Sequence, residues 1–158
     1  MIIDCHGHYT TAPGALQAFR DAQLARLADP SLPEPALANI SDDAIRESIE
    51  STQLKLLRER GGDLMIFSPK ASGMEHHLPD PATALAWARV SNDLVHRVVE
   101  LYPHHFAGAC QLPQTQSGPL DDSIKELRRC VEELGFVGCN LNPDPSGGHW
   151  TSSATISS

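Results

Sequence analysis

Long hydrophobic runs are missing from this 158-residue chain. No stretch approaches the roughly 18 apolar residues of a membrane-spanning helix. The N-terminus is broken by Asp4 and two histidines, so a secretory signal is not expected either. Positive charge is scarce as well. Twelve Lys and Arg stand against 20 Asp and Glu, a formal net charge of -8. That balance argues against nucleic acid or anionic membrane as partners. It leaves room for an anionic small molecule held by a local cationic cluster or a metal. Cysteines at CxxC spacing are absent: Cys5, Cys110, Cys130 and Cys139 are isolated. They read as reduced small hydrophobes in core elements, with a thiolate metal ligand as the lesser alternative. A cytoplasmic protein with one real core is expected, since 41% of the residues are hydrophobic.

What is present starts at the first residue. Met1-Ile2-Ile3-Asp4-Cys5 is an apolar run that leads into His6-Gly7-His8. Residues two apart in a strand share a face, so His6 and His8 are expected to aim at one metal ion. Asp4 has the same parity and is expected behind the pair as an acceptor, with Ile3 and Cys5 packing on the other face. Gly7 is read as letting the backbone approach a ligand. The competing reading is a surface pair without chemistry.

Three further apolar runs follow: Leu64-Met65-Ile66-Phe67, Phe106-Ala107-Gly108-Ala109-Cys110 and Phe136-Val137-Gly138-Cys139. Their continuity suits strands of a parallel sheet. Helical spacing fills the intervals. Ile45, Ile49, Leu56 and Leu57 make one stripe between a Ser41 cap and a Gly61 stop. Asp80-Pro81 opens a second helix that carries Trp87, Val90, Leu94, Val98 and Leu101 and ends before Pro103. Leu120, Ile124, Leu127, Val131 and Leu134 give a third, closed by Gly135. An additional amphipathic piece over 13–28 is expected as a lid or wall. The alternation predicts an α/β fold of about four parallel strands with intervening helices. One domain over 1–150 and a disordered Ser/Thr-rich tail over 151–158 complete the expectation.

Ligands of α/β folds bind at the carboxyl ends of parallel strands. Each predicted strand has polar residues there: His6 and His8; Ser68, Lys70 and Ser72, then His76 and His77; Gln111; Asn140, Asn142 and Asp144. Asn140 and Asn142 share parity with Gly138 and are expected near the histidines, while Val137, Cys139 and Leu141 pack behind. Lys70 reads as a carboxylate anchor or as a solvated surface lysine. His76 and His77 read as substrate contacts or exposed loop residues.

Met1 to His8, Phe67-Ser68-Pro69-Lys70-Ala71-Ser72 with His76-His77, and Asn140-Leu141-Asn142-Pro143-Asp144-Pro145-Ser146-Gly147-Gly148-His149-Trp150 together resemble the 4-oxalomesaconate hydratase family. That family lies in the amidohydrolase superfamily, in the branch that also holds aminocarboxymuconate semialdehyde decarboxylase. The resemblance runs from residue 1 to about 151. It implies a distorted (β/α)8 barrel, a mononuclear zinc site with His6 and His8 as its first two ligands, and reversible hydration of a keto tricarboxylate. It also implies roles for Lys70, Ser72, His77, Asn140 and Asn142 in holding that polycarboxylate substrate. The family's later His and carboxylate ligands have no counterpart here, and a complete barrel needs about 250 residues. The chain is therefore expected to be the N-terminal half of such a barrel, truncated, inactive alone, and prone to self-association through unpaired strand edges. A related decarboxylase or hydrolase and a non-catalytic remnant are the alternatives.

Overall fold

All four apolar runs become parallel strands. The computed structural model describes residues 1–70, 80–115 and 120–141. Within them run β1 (Ile3–Tyr9), α1 (Gly14–Ala28), α2 (Asp42–Glu50), α3 (Gln53–Glu59), β2 (Leu64–Pro69), α4 (Pro81–Leu101), β3 (Phe106–Gln111), α5 (Leu120–Glu132) and β4 (Gly138–Asn140). The sheet order is β1-β2-β3-β4, every pair parallel, so the sequence order is also the spatial order. Four sequential parallel strands joined through helices are the arrangement of part of a (β/α)8 barrel. Among the described residues no helix is long and apolar enough to cross a membrane. The tail over 151–158 lies outside the described residues.

Register divides the sheet into two faces. Tyr9, Met65, Phe67, Phe106 and Cys110 point to the helices. Their aromatic rings form a row, Tyr9 to Phe67 at 5.4 Å and Phe67 to Phe106 at 4.9 Å between centroids. Ile45, Ile49, Leu54, Leu57, Trp87, Val95 and Val98 close over that row as the core. The opposite face carries His8, Ser68, Ala109 and Gly138 in register, with Gln111 and Asn140 two residues further along their strands.

Caps explain where the helices start. The Ser41 hydroxyl accepts from the Ala44 amide at 3.2 Å and the Asp80 carboxylate from the Thr83 amide at 2.8 Å, each satisfying an otherwise unpaired first-turn donor. The expected single helix from Ser41 to Gly61 is two. Ser51 Oγ donates to Glu47 O at 2.7 Å and Thr52 Oγ1 to Ser48 O, and Thr52 leaves helical geometry at φ -133 and ψ -97. Hydroxyls that compete for turn carbonyls favour such a break. It leaves Leu57 buried as expected but Leu56 exposed, with Leu54 buried in its place.

The α5 stripe holds only in part, with Leu127 and Leu134 half-buried against the core. Leu120, Ile124 and Val131 are exposed, and the helix buries Ser123, Glu126 and Cys130. A polar network sets this rotation. Glu126, fully buried, accepts from Asn92 Nδ2 at 2.9 Å and from Arg129 Nη2 at 2.7 Å, and Arg129 also reaches Asp93 at 2.7 Å. Burial alone raises a carboxyl pKa, but here the Arg129 and Asn92 hydrogen bonds outweigh it and hold Glu126 below its ordinary value.

The fourth strand is shorter than its apolar run, and Phe136 instead plugs under β3. A Cβ on Gly108 would come within 2.4 Å of the Phe136 ring. Val137 and Leu141 are exposed and do not pack. Ile3 and Cys5 are exposed too and do not pack as expected, and β1 is an edge strand with no neighbour on its outer side among the described residues. The piece over 13–28 forms α1, which packs on α4 with Arg20 5.0 Å over the Trp87 ring.

Candidate metal and substrate site

The two histidines follow an irregularity in β1. Its ladder pairs Asp4 with Met65 and then Gly7 with Phe67, so three steps on β1 match two on β2. This bulge lies at Cys5-His6, and bulges re-aim side chains. The His6 and His8 Nε2 atoms come to 3.1 Å, with the rings nearly perpendicular at 85°. Gly7 between them permits close approach, but to β2 and not to a ligand. A Cβ there would sit 2.4 Å from Met65 Sδ and 3.0 Å from the Ile66 carbonyl oxygen. Asp4 departs from expectation as well: its carboxylate accepts from the His6 backbone amide at 3.0 Å.

Hydrogen bonding selects the tautomer of His8. Its Nδ1 lies 3.1 Å from Pro69 O and 2.8 Å from Ser68 Oγ. The carbonyl only accepts, so Nδ1 carries the proton. Ser68 donates its own to Gly7 O at 3.0 Å and accepts from His8. The Nε2 lone pair of His8 is thereby left facing His6. Two imidazole nitrogens at about 2.0–2.1 Å from a tetrahedral ion stand roughly 3.3 Å apart, so the observed 3.1 Å separation fits a shared divalent metal. Among the described residues no set of three or more His, Cys, Asp or Glu side chains is arranged around one ion. The histidines therefore supply two donors.

Gln53, the first residue of α3, holds the end of β1. Its Nε2 donates to His8 O at 3.3 Å and to Thr10 Oγ1 at 3.1 Å, and its Oε1 accepts from Thr11 at 2.9 Å. Beside the pair a cavity of about 330 Å³ is lined by His6, His8, Gln53, Leu57, Arg60 and Met65. Its wall is α3 and not α1. Below it, Tyr9 donates to Ser48 at 2.6 Å, and burial pushes its pKa up to about 12.

The other expected site residues are spread along the strand ends. Lys70 follows β2 and is exposed. Asn140 ends β4 on the same face as His8, with β2 and β3 between their strands. Ser72, His76, His77 and Asn142 lie outside the described residues. Ser68 and Gln53 were not singled out by the sequence for these roles, which depend on β1 meeting β2 and α3. The only sequence signal for Ser68 is its place in a polar strand end.

The Amidohydrolase family model matches residues 3–155. The chain is 54% identical over 150 residues to the 2-keto-4-carboxy-3-hexenedioate hydratase of Sphingobium sp. (strain NBRC 103272 / SYK-6), covering 95% of this chain and 44% of that one. Among solved structures, 4-oxalomesaconate hydratase from Rhodopseudomonas palustris superposes with a TM-score of 0.83 at 50% identity, over 96% of this chain and 44% of that one. A dihydroxybenzoic acid decarboxylase from Polaromonas sp. JS666, solved with bound manganese and the inhibitor 2-nitroresorcinol, matches at a TM-score of 0.57 and 26% identity, over 89% and 38%. The chain thus spans less than half the length of these relatives.

Proposed function

The chain belongs to the Amidohydrolase family, and on that premise we propose that it forms the first-strand metal half-site and part of the substrate cradle of a hydro-lyase. The substrate is a keto tricarboxylate of the kind named for its Sphingobium relative. The observation that carries this reading is the His6–His8 pair, Nε2 to Nε2 at 3.1 Å with the His8 proton held on Nδ1. A divalent ion bound there supplies Lewis acidity and a more acidic water. Zinc is the proposed ion. His6 and His8 hold it, Ser68 and Pro69 O keep His8 in the ligating tautomer, and Gln53 fixes the β1 backbone. Lys70 and Asn140 hold substrate carboxylates, with Ser72, His77 and Asn142 assigned to the same task on the resemblance alone.

Two imidazoles are one short of the three protein ligands usual for catalytic zinc. The 158-residue chain is therefore proposed to bind zinc weakly and to hydrate substrate little or not at all by itself. Calorimetric titration with zinc and with manganese tests the site. His6→Ala and His8→Ala should abolish binding, and Ser68→Ala should weaken it about tenfold, as loss of a ligand-orienting partner does. Binding unchanged in both histidine variants overturns the assignment. A decarboxylase is the second reading, favoured by the Polaromonas likeness. Joining the chain to the remainder of a relative's sequence and assaying hydration against carbon dioxide release separates the two.

A further inference from the structure

We propose that Gln111 and Asn140 form one subsite that recognises a carbon bearing both a hydroxyl and a carboxylate. Two unsatisfied amides carry this inference. Gln111 is 1% exposed, yet among the described residues its Oε1 has no hydrogen-bond partner, and the buried Nδ2 of half-buried Asn140 has none either. A buried polar group left unpaired is costly, and native structures rarely tolerate it without a ligand or water. The two residues are register partners at the last positions of β3 and β4, on the face that carries His8. They do not satisfy each other.

The end of β3 is also held rigid. The Asn92 side chain takes both backbone groups of Gln111, donating to its carbonyl at 3.0 Å and accepting from its amide at 2.9 Å. Asn92 is itself anchored on buried Glu126 at 2.9 Å. Among the described residues nothing bonds to Gln111 Oε1. A pinned backbone with a free buried carboxamide is the form of a preorganised ligand contact.

The ligand chemistry follows from complementarity and rests on the hydratase reading above. Gln111 Oε1 offers an acceptor and Asn140 Nδ2 a donor. An uncharged pair of this kind fits a ligand group that both donates and accepts. In a 2-keto-4-carboxy-3-hexenedioate, the keto group activates C4 toward water. Hydroxide from water joins C4 and its proton joins C3, so the double bond becomes a carbon carrying a hydroxyl beside its carboxylate. Gln111 accepts from that hydroxyl and Asn140 donates to that carboxylate. The subsite thus selects the hydrated carbon.

The test uses the metal-free 158-residue chain and two probes, citrate and tricarballylate, which share three carboxylates and differ by one hydroxyl. Side-chain amide resonances of Gln111 and Asn140, assigned by their loss in variants, follow each titration. Citrate should bind about fivefold more tightly, one hydrogen bond's worth. Gln111→Leu should erase that preference, and Asn140→Leu should weaken both probes. If Gln111→Leu fails to fold, the unaltered chain still decides: the Gln111 amide should respond to citrate and not to tricarballylate. Equal affinities, or silent amides at saturating citrate, overturn the proposal. Failure of the hydratase reading appears elsewhere, as lost metal binding or carbon dioxide release.

Discussion

Gly7→Ala separates two explanations of a glycine set between paired histidines. A β-carbon built there lies 2.4 Å from Met65 Sδ, 2.5 Å from Met65 Cγ and 3.0 Å from the Ile66 carbonyl oxygen. Met65 is 6% exposed and cannot swing into solvent. Either it repacks within the core or β1 moves off β2. Overpacking of this kind costs about 1–3 kcal/mol, which for a chain of this size lowers the melting temperature by about 3–9 °C. A thermal melt followed by circular dichroism measures the loss. Because His6 and His8 flank Gly7, a displaced β1 should also weaken zinc binding in a parallel calorimetric titration. A double-mutant cycle locates the clash. Met65→Ala destabilises on its own, but in that background Gly7→Ala should cost at least about 1 kcal/mol less, since the thioether is gone. Equal costs in both backgrounds, or a Gly7→Ala chain as stable as the original, would refute strand packing as the reason for glycine. Selective loss of ligand binding at full stability would favour ligand approach instead.

Glu126→Gln should destabilise the chain by about 2 kcal/mol near neutral pH, the worth of charge-assisted bonds to a buried carboxylate. The folded pKa of Glu126 is lowered, so its contribution is present above the unfolded value of about 4.3 and is lost as pH falls through the folded one. Melts of the two proteins should therefore converge in acid, and a gap that widens on acidification would reverse the sign of the argument. Self-association should accompany expression of the chain. Met1, Ile2 and Ile3 are exposed along one edge strand and Val137 and Leu141 along the other, with Leu120 and Ile124 exposed on α5. Light scattering after size exclusion should report dimers or larger species, and a stable monomer at high concentration would count against open edges as docking surfaces.

The strands were legible because each apolar run is continuous, and α4 because Asp80-Pro81 marks its start. The phase of α5 was not. Its periodicity is visible, but which side turns inward depends on Asn92, 34 residues away, reaching Glu126. The break between α2 and α3 hangs on two hydroxyls, Ser51 and Thr52, that read as ordinary helix surface. At the site, parity alone indicated that His6 and His8 converge. What orients His8 comes from Ser68 and Pro69, which no local pattern ties to it. Gln111 was visible as a polar strand end, but its unsatisfied amide emerges only after the backbone around it is closed.

The irregularity at Cys5-His6 makes β1 tolerant to a change of length at one place. Pairing runs 61 residues ahead at Ile3 and Asp4 and 60 ahead from Gly7 onward. Removal of Cys5 would absorb that difference and leave His8 opposite Ser68 and Asp4 opposite Met65, in an unbroken ladder. His6 would then stand opposite Ile66, still on the face that carries His8. A deletion anywhere beyond Gly7 would instead shift every later side chain to the wrong side of the sheet. The strand therefore has one spare residue, and its effect is to put Asp4, which shares the parity of His6 and His8, on the opposite face of the sheet.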